Sequence, residues 1–476
     1  MLDFSPLTGF APPWLRRASR LLSWRRLTPP QLFVVSFGLV ILLGTVALRT
    51  LPGLYTGEPL SWLDALFTAT SAVCVTGLIV VDTATYFTTA GQAVVLLLIQ
   101  IGGIGMVTFA SLIIMMIGGR MALHQEMLTR SVAEVAPRVD YRHLTRNVVR
   151  LTLLLELAGA VLLYVCWVPR FGWRGAIWPA VFHSVSAFCN AGFSTFSDSL
   201  MGFARAPHVL LVVMTLIVLG GIGFLTLEEL GLWHRARRAR RSFRLSIHTR
   251  LVLTTSGLLT LGGWLGLTVF EWRASLADMP VWHRLVNGLF MSITPRTAGF
   301  NTIDYATATD SANFLTILLM SIGGSPGSMA GGLKTTTFAL LGLLAWCRLR
   351  GLEFTTIGGR TVPEATMQRA VGLFVIVFGL LTVAIFLFTT SELPWVSQLS
   401  RPSGFLPLMF EATSAFNTVG LSMGTTHDLT GFGKVLTTLL MFLGRVGPLT
   451  FCAALAARRQ FAARQFRYAH ENVAIG

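Results

Sequence analysis

Four short segments of this chain share a pattern: LFTATSAVCVTGL (Leu66–Leu78), VFHSVSAFCNAGF (Val181–Phe193), GLFMSITPRTAGF (Gly288–Phe300) and MFEATSAFNTVGL (Met409–Leu421). Each closes on a small or β-branched residue, then a glycine, then Leu or Phe. The glycines Gly77, Gly192, Gly299 and Gly420 are thereby equivalent, spaced 115, 107 and 121 residues apart. Such residues offer no nucleophile or metal cluster. They offer backbone carbonyls. Glycine reaches backbone conformations closed to other residues, so the carbonyls of Val75-Thr76-Gly77, Asn190-Ala191-Gly192, Thr297-Ala298-Gly299 and Thr418-Val419-Gly420 can point one way and replace the hydration shell of a cation.

A second register follows the first. In the helix after each loop comes a glycine-bearing break: the motifs IGGIGMVTF (Ile101–Phe109), LGGIGFLTL (Leu219–Leu227), IGGSPGSMAGGLKTTTF (Ile322–Phe338) and LGRVGPLTF (Leu443–Phe451) place Gly102, Gly220, Gly323 and Gly444 at 25, 28, 24 and 24 positions after the first landmark. One glycine loop is equally readable as tight helix packing. Four loops with matched flanks and a matched second landmark point instead to a shared path.

The third copy departs from the others. Gly323, Gly324, Ser325, Pro326, Gly327, Ser328, Gly331 and Gly332 crowd one stretch, and a straight helix does not tolerate that glycine density with a proline inside. This stretch, ending near Lys334, is a candidate gate lying across the path just inside the glycine loops. Arg445 stands where the first two copies have glycine, inside an apolar run. An unpaired arginine at membrane depth costs about 2.5–3.5 kcal/mol, so it needs partners: carbonyls of the third copy, or the hydroxyls of Ser325 and Ser328. Snorkelling to the interface is the competing reading. Glu156 is a further intramembrane charge with a packing or interfacial role, and His183 and Glu411 read as structural.

The elements that position these residues follow from hydropathy. The 476 residues are 53% hydrophobic and only 12% charged, which favours lipid as the solvent. Runs long enough to span a bilayer, about 20 residues, lie near 31–51, 92–117, 148–168, 207–233, 250–272, 311–346, 367–389 and 433–457. The glycine-ended segments between members of each pair are of re-entrant length. The organisation expected is a leader (1–30), repeats 31–118, 148–233, 250–346 (gate loop 323–337) and 366–457, and a tail (458–476). The fold class is thus an all-α polytopic membrane protein: four repeats of helix, re-entrant pore helix, filter loop and helix around one pseudo-fourfold pore.

A net charge of +16 would suggest nucleic acid if it formed one face. Instead the arginines recur after every second long apolar run, the positive-inside pattern of an even-numbered bundle with both termini cytoplasmic. Residues 1–30 lack the apolar core and cleavage site of a signal peptide. Cys74, Cys166, Cys189, Cys347 and Cys452 show no paired spacing. Gly323–Thr337 lacks the spacing and setting of a phosphate-binding loop. No zinc-ligand or serine–base arrangement suggests an enzyme. A secondary transporter of a small solute, the alternative class, typically has inverted halves, whereas these four units run in one order.

On these motifs the chain resembles the Trk/Ktr/HKT superfamily of potassium transporters, and within it the KtrB-type membrane subunit, from Leu27-Thr28-Pro29-Pro30-Gln31 to Gly444-Arg445-Val446-Gly447-Pro448. The Trk branch usually adds helices before the first repeat, for which residues 1–30 are too short and too charged. The resemblance implies K+ at the filter residues and an intramembrane gate at 323–337. Glycine at all four filter positions, rather than the serine of some plant relatives, favours potassium over a sodium-conducting member. It also implies a homodimer in the cell (inner) membrane and a cytosolic regulatory ring binding ATP or ADP. Na+ is a candidate coupling or activating ion, as a symporter would use. No cofactor is implied in this chain.

Overall fold

The computed structural model describes residues 29–105, 141–357, 359–393 and 404–447. The leader except its last two residues, the arginines from Arg120 to Arg138 and the C-terminal tail lie outside the described residues.

Three helices recur in one order four times. An outer helix comes first: Pro29–Thr50, Tyr141–Gly175, Ile247–Glu271 and Glu364–Glu392. A short pore helix follows: Trp62–Val73, Ile177–Cys189, Val281–Ile293 and Phe405–Phe416. An inner helix begins at Thr89–Gly105, Pro207–Ile222, Asp310–Met320 or Gly431–Val446. The β-sheet of the described residues is one hairpin of two two-residue strands, Thr356–Ile357 with Arg360–Thr361. The chain is an all-α, multi-pass membrane protein.

Burial separates the layers. Outer helices turn Leu43, Leu157, Leu258 and Phe386 outward with more than half of each side chain exposed, a loss in water but none against acyl chains. The pore helices are the reverse: Phe67, Ala72, Phe182, Ala187, Phe290, Phe410 and Ala415 are wholly buried. They end inside the protein, where irregular backbone is tolerated.

Polar contacts fix how the repeats meet. The Glu271 carboxylate accepts from the Thr309 amide (2.8 Å) and hydroxyl (2.7 Å), and Glu392 does the same for Thr430 (3.0 and 2.6 Å). Both threonines are N-caps of inner helices, so the end of an outer helix holds the start of its inner helix. Between repeats, the Trp178 indole donates to Gln92 at 2.6 Å and the Asn287 amide to the Ala204 carbonyl at 2.7 Å. Lys434 pairs with Asp64 at 2.7 Å, tying the fourth inner helix to the first pore helix. The last repeat thereby meets the first.

Eight long apolar runs were expected, the third inner one irregular; among the described residues, which cover the runs 92–117 and 433–457 only to 105 and 447, four helices are long and apolar enough to cross a membrane, or five if one bent pair counts as a span. The difference lies in the inner helices. The run 207–233 bends by 102° at Gly223 (φ 96°, ψ 138°), with Phe224–Arg238 beyond it. The run 311–346 is interrupted from 321 to 334 before helix Thr335–Leu349. The third repeat is therefore not alone in breaking. The fourth inner helix also stops at a positive-φ glycine, Gly447 (φ 85°), in register with Gly223.

Candidate functional site

Each pore helix runs into a three-residue strand whose backbone alternates in hand. Val75, Asn190, Thr297 and Thr418 have φ of 56°, 59°, 73° and 51°, and Gly77, Gly192, Gly299 and Gly420 have φ of 94°, 71°, 77° and 93°. Thr76, Ala191, Ala298 and Val419 between them lie outside the positive-φ region. Alternation of this kind turns successive carbonyls to one side of a strand. For β-branched Val75, Thr297 and Thr418 it costs about 1–3 kcal/mol each, so the surroundings must hold it.

Hydroxyls on the pore helices do so. Ser71 accepts from the Gly77 amide (3.1 Å) and donates to the Leu78 carbonyl (2.7 Å). Ser186 donates to Phe193 (2.8 Å), Thr294 to Phe300 (2.5 Å), and Ser414 accepts from the Gly420 amide (3.1 Å). These four residues were not singled out in the sequence, although Ser-Ala recurs six positions before the glycine in repeats one, two and four. The third repeat is one residue shorter there, which hides Thr294.

The structure brings the four glycines together. A Cβ built on Gly77 would stand 3.0 Å from Gly192 Cα, one on Gly192 2.9 Å from Gly299 Cα, one on Gly299 3.2 Å from Gly420 Cα, and one on Gly420 3.0 Å from Gly77 Cα. The order closes on itself. Each such Cβ would also strike the carbonyl before the next glycine: Ala191, Ala298, Val419 or Thr76. The result is a ring of four strands whose carbonyls and glycines interleave about one axis. Four pore helices end at this ring, each presenting about half a negative charge.

The second-landmark glycines have a different task. A Cβ on Gly102, Gly220 or Gly444 would overlap the carbonyl of Val73, Phe188 or Phe416, each four residues before its ring glycine. Backbone meets backbone there, so the inner helix braces the last turn of its pore helix. Outside the ring lies a cavity of about 220 Å³ lined by all four glycines, Asp82, Asp198, Asp304 and His427, with no Lys or Arg among the described residues that line it. The three aspartates stand five or six residues after their glycines, an offset too uneven to stand out in the sequence. Carboxylates around such a mouth raise the local cation concentration.

Inside the ring lies the irregular stretch of repeat three. Because the second inner helix breaks at Gly223, its last carbonyls lack helical partners, and the stretch supplies them: Ser325 donates to Gly221 (3.0 Å) and Met329 to Gly220 (3.1 Å), while Phe224 donates to Gly327 (3.0 Å). Gly331 lies against Thr418 and Gly332 against Asn417, with no room for a Cβ at either. Gly323 donates to Leu333 (2.8 Å), and the Ser325 and Thr335 hydroxyls pair at 3.0 Å. The stretch is thus wedged between a broken helix and the fourth ring strand.

Arg445 is wholly buried, which excludes snorkelling. Its guanidinium donates to the Met329 carbonyl and, at 3.0 Å, to the Gly102 carbonyl. The hydroxyls of Ser325 and Ser328, considered as partners, are occupied elsewhere; that of Ser328 accepts from the Ala330 amide at 3.3 Å. Lys334 donates to the Ala330 carbonyl at 2.7 Å, folding its charge back under the same stretch. His183 contacts the Pro179 carbonyl (2.8 Å) and the Ser194 hydroxyl (2.9 Å), and Glu411 accepts from Ser422, Thr425 (3.0 Å) and Thr426 (3.0 Å). Both pin the segment that leaves a ring glycine.

Comparison with known proteins agrees with this architecture. The family model for the TrkH cation transport protein matches residues 12–460. The Ktr system potassium uptake protein B of Bacillus subtilis is 39% identical over 93% of this chain and 96% of its own length. The potassium/sodium uptake protein NtpJ of Enterococcus hirae is 36% identical over 95% and 98%. The crystal structure of the potassium transporter TrkH from Vibrio parahaemolyticus superposes with a TM-score of 0.69 at 19% identity, over 89% of this chain and 83% of that one, which shows a shared fold. These are ion transporters, not enzymes, and this chain belongs to the TrkH family of cation transport proteins.

Proposed function

We propose that this chain is the potassium-conducting subunit of a Ktr-type uptake system, with Val75–Gly77, Asn190–Gly192, Thr297–Gly299 and Thr418–Gly420 as its selectivity filter. The observation that carries the reading is the closed ring of four glycines, each glycine packed against the next repeat's carbonyl. A cation on that axis exchanges its water for carbonyls held in place by pore-helix hydroxyls. The aspartates outside the ring concentrate cations at its mouth. The stretch 323–334 is the gate, and Arg445 and Lys334 hold it shut while placing positive charge beneath the filter, where it opposes a cation's passage. Both termini are cytoplasmic, in the inner membrane. The chain works as a homodimer on a cytosolic ring that binds ATP or ADP, and the gate is what the ring moves. Na+ acts as a coupling or activating ion.

Purified protein in liposomes tests this directly. Under equal gradients K+ flux exceeds Na+ flux by about tenfold or more, equivalent to ~1.4 kcal/mol, and the ring protein with ATP changes the rate but not the ratio. Equal Na+ and K+ flux would favour the sodium-conducting reading instead. Flux that appears only with an organic solute would make the chain a carrier.

A further inference from the structure

Glu156 is an acidic side chain inside the bilayer, only 5% exposed, on the second outer helix. Among the described residues its carboxylate contacts are the Gln100 amide, which donates to Oε2 at 3.0 Å, and the Cys189 thiol at 3.7 Å from Oε1. Neither contact is a cation. The same thiol lies 3.6 Å from the Gln100 carbonyl oxygen, so three side chains from three elements form one cluster. The elements are the first inner helix, the second outer helix and the second pore helix. The Ser184 hydroxyl, donating to the Glu156 backbone carbonyl at 2.5 Å, fixes the last two against each other.

This cluster stands next to the gate's fastening. Gln100 lies two residues before Gly102, whose carbonyl is one of the two acceptors of Arg445. The other acceptor is Met329, in the gate stretch itself. Gly103 fits between the cluster and that stretch: a Cβ there would come within 2.9 Å of Cys189 Sγ and 3.4 Å of Met329 Sδ. A path runs from Glu156 by hydrogen bond to Gln100, along two residues of helix to the Gly102 carbonyl, and by hydrogen bonds through Arg445 to Met329.

We infer that Glu156 is a positioning residue of the gate: by holding Gln100 it fixes the Gly102 carbonyl at the place where Arg445 must bind to keep the stretch 323–334 closed. This rests on the gating reading given above. A buried acid is retained at a cost, and setting the register of one inner helix against the gate is a role that offsets it. The network couples the seam between repeats one and two to a barrier contributed by repeat three and latched from repeat four.

The test uses full-length protein in liposomes without the ring protein. Glu156→Leu removes the acceptor, and ring-independent K+ flux rises several-fold with the K+/Na+ ratio unchanged. Glu156→Gln keeps a carbonyl for the Gln100 amide and restores wild-type flux. Gln100→Leu, which breaks the same contact from the other side, reproduces the Glu156→Leu result and serves if that variant does not fold. On an Arg445→Ala background Glu156→Leu adds nothing, because the contact it positions is already gone. Wild-type flux in Glu156→Leu or Gln100→Leu, failure of Glu156→Gln to restore it, or an additive increase with Arg445→Ala would each overturn the inference. A lack of effect from Arg445→Ala itself would bring down the gating reading first, and so distinguishes the two failures.

Discussion

Gly77→Ser and Gly299→Ser are each expected to lower the preference for K+ over Na+ by about tenfold or more, a change of ~1.4 kcal/mol in relative ion stabilisation. Two effects act together. The backbone at these glycines has φ of 94° and 77°, where an L side chain adds about 1–3 kcal/mol of strain. The new Cβ would also strike the Ala191 carbonyl in one case and the Val419 carbonyl in the other. A substitution in one repeat therefore displaces an ion-facing carbonyl in the next, so the damage spreads around the ring. Folding is less affected in Gly77→Ser, because the first pore helix keeps its contact with the inner helix at Gly102. Competition of Na+ with K+ uptake in reconstituted protein reads the effect. Unchanged selectivity in both variants would remove these glycines from the filter.

Arg445→Ala has the opposite profile: flux rises and selectivity stays. The guanidinium makes two charge-assisted hydrogen bonds, to Met329 and Gly102, and bonds of this class contribute about 1.5–3 kcal/mol each. Losing part of that from the closed state alone shifts the open population by about ten- to a hundredfold. Deleting residues from 325–329 should do the same by removing the barrier, since Gly331 and Gly332, which lie against the fourth ring strand, are kept and the hydroxyl supports lie on other segments. Ring-independent K+ flux, measured beside the K+/Na+ ratio, separates the outcomes. Loss of selectivity on loop deletion would make the segment part of the filter, and unaltered flux would make it structural.

Some of this was legible in the sequence because it repeats. A ring of four strands demands glycine at one position in each repeat, and a demand imposed four times leaves a visible period. The same period misled on the second landmark. Gly102, Gly220 and Gly444 read as helix breaks, but they are close-packing positions; the breaks come later, at Gly223 and Gly447. Both roles call for glycine, and spacing alone does not tell them apart. The bend at Gly223 was hidden for a related reason. An apolar run of 27 residues reads as one span because hydropathy records what a helix touches and not its direction.

Arg445 shows a second kind of limit. Its buried charge called for a partner, and the sequence offered two kinds, carbonyls of the third copy or the hydroxyls of Ser325 and Ser328, with nothing to choose between them; Met329 is of the first kind, whereas Gly102, in the first repeat, was not foreseen. The acceptors proved to be carbonyls of Met329 and Gly102, which every residue carries and which only the fold exposes, here beside an interrupted segment and a helix packed through glycine. Glu156 was harder still. Its position on an outer helix was plain, but its link to Gln100 and Cys189 crosses three elements far apart in the chain.

The claim that the ring of glycines holds the transported ion is tested most directly by anomalous scattering from crystals of the protein grown in K+ and exchanged into Tl+ or Rb+. Ion density is expected on the axis of the ring, bounded by carbonyls from all four strands at Val75–Thr76, Asn190–Ala191, Thr297–Ala298 and Thr418–Val419, and is expected to vanish in the Gly299→Ser variant. Density confined to another site, or a ring that stays empty while the protein conducts, would contradict it.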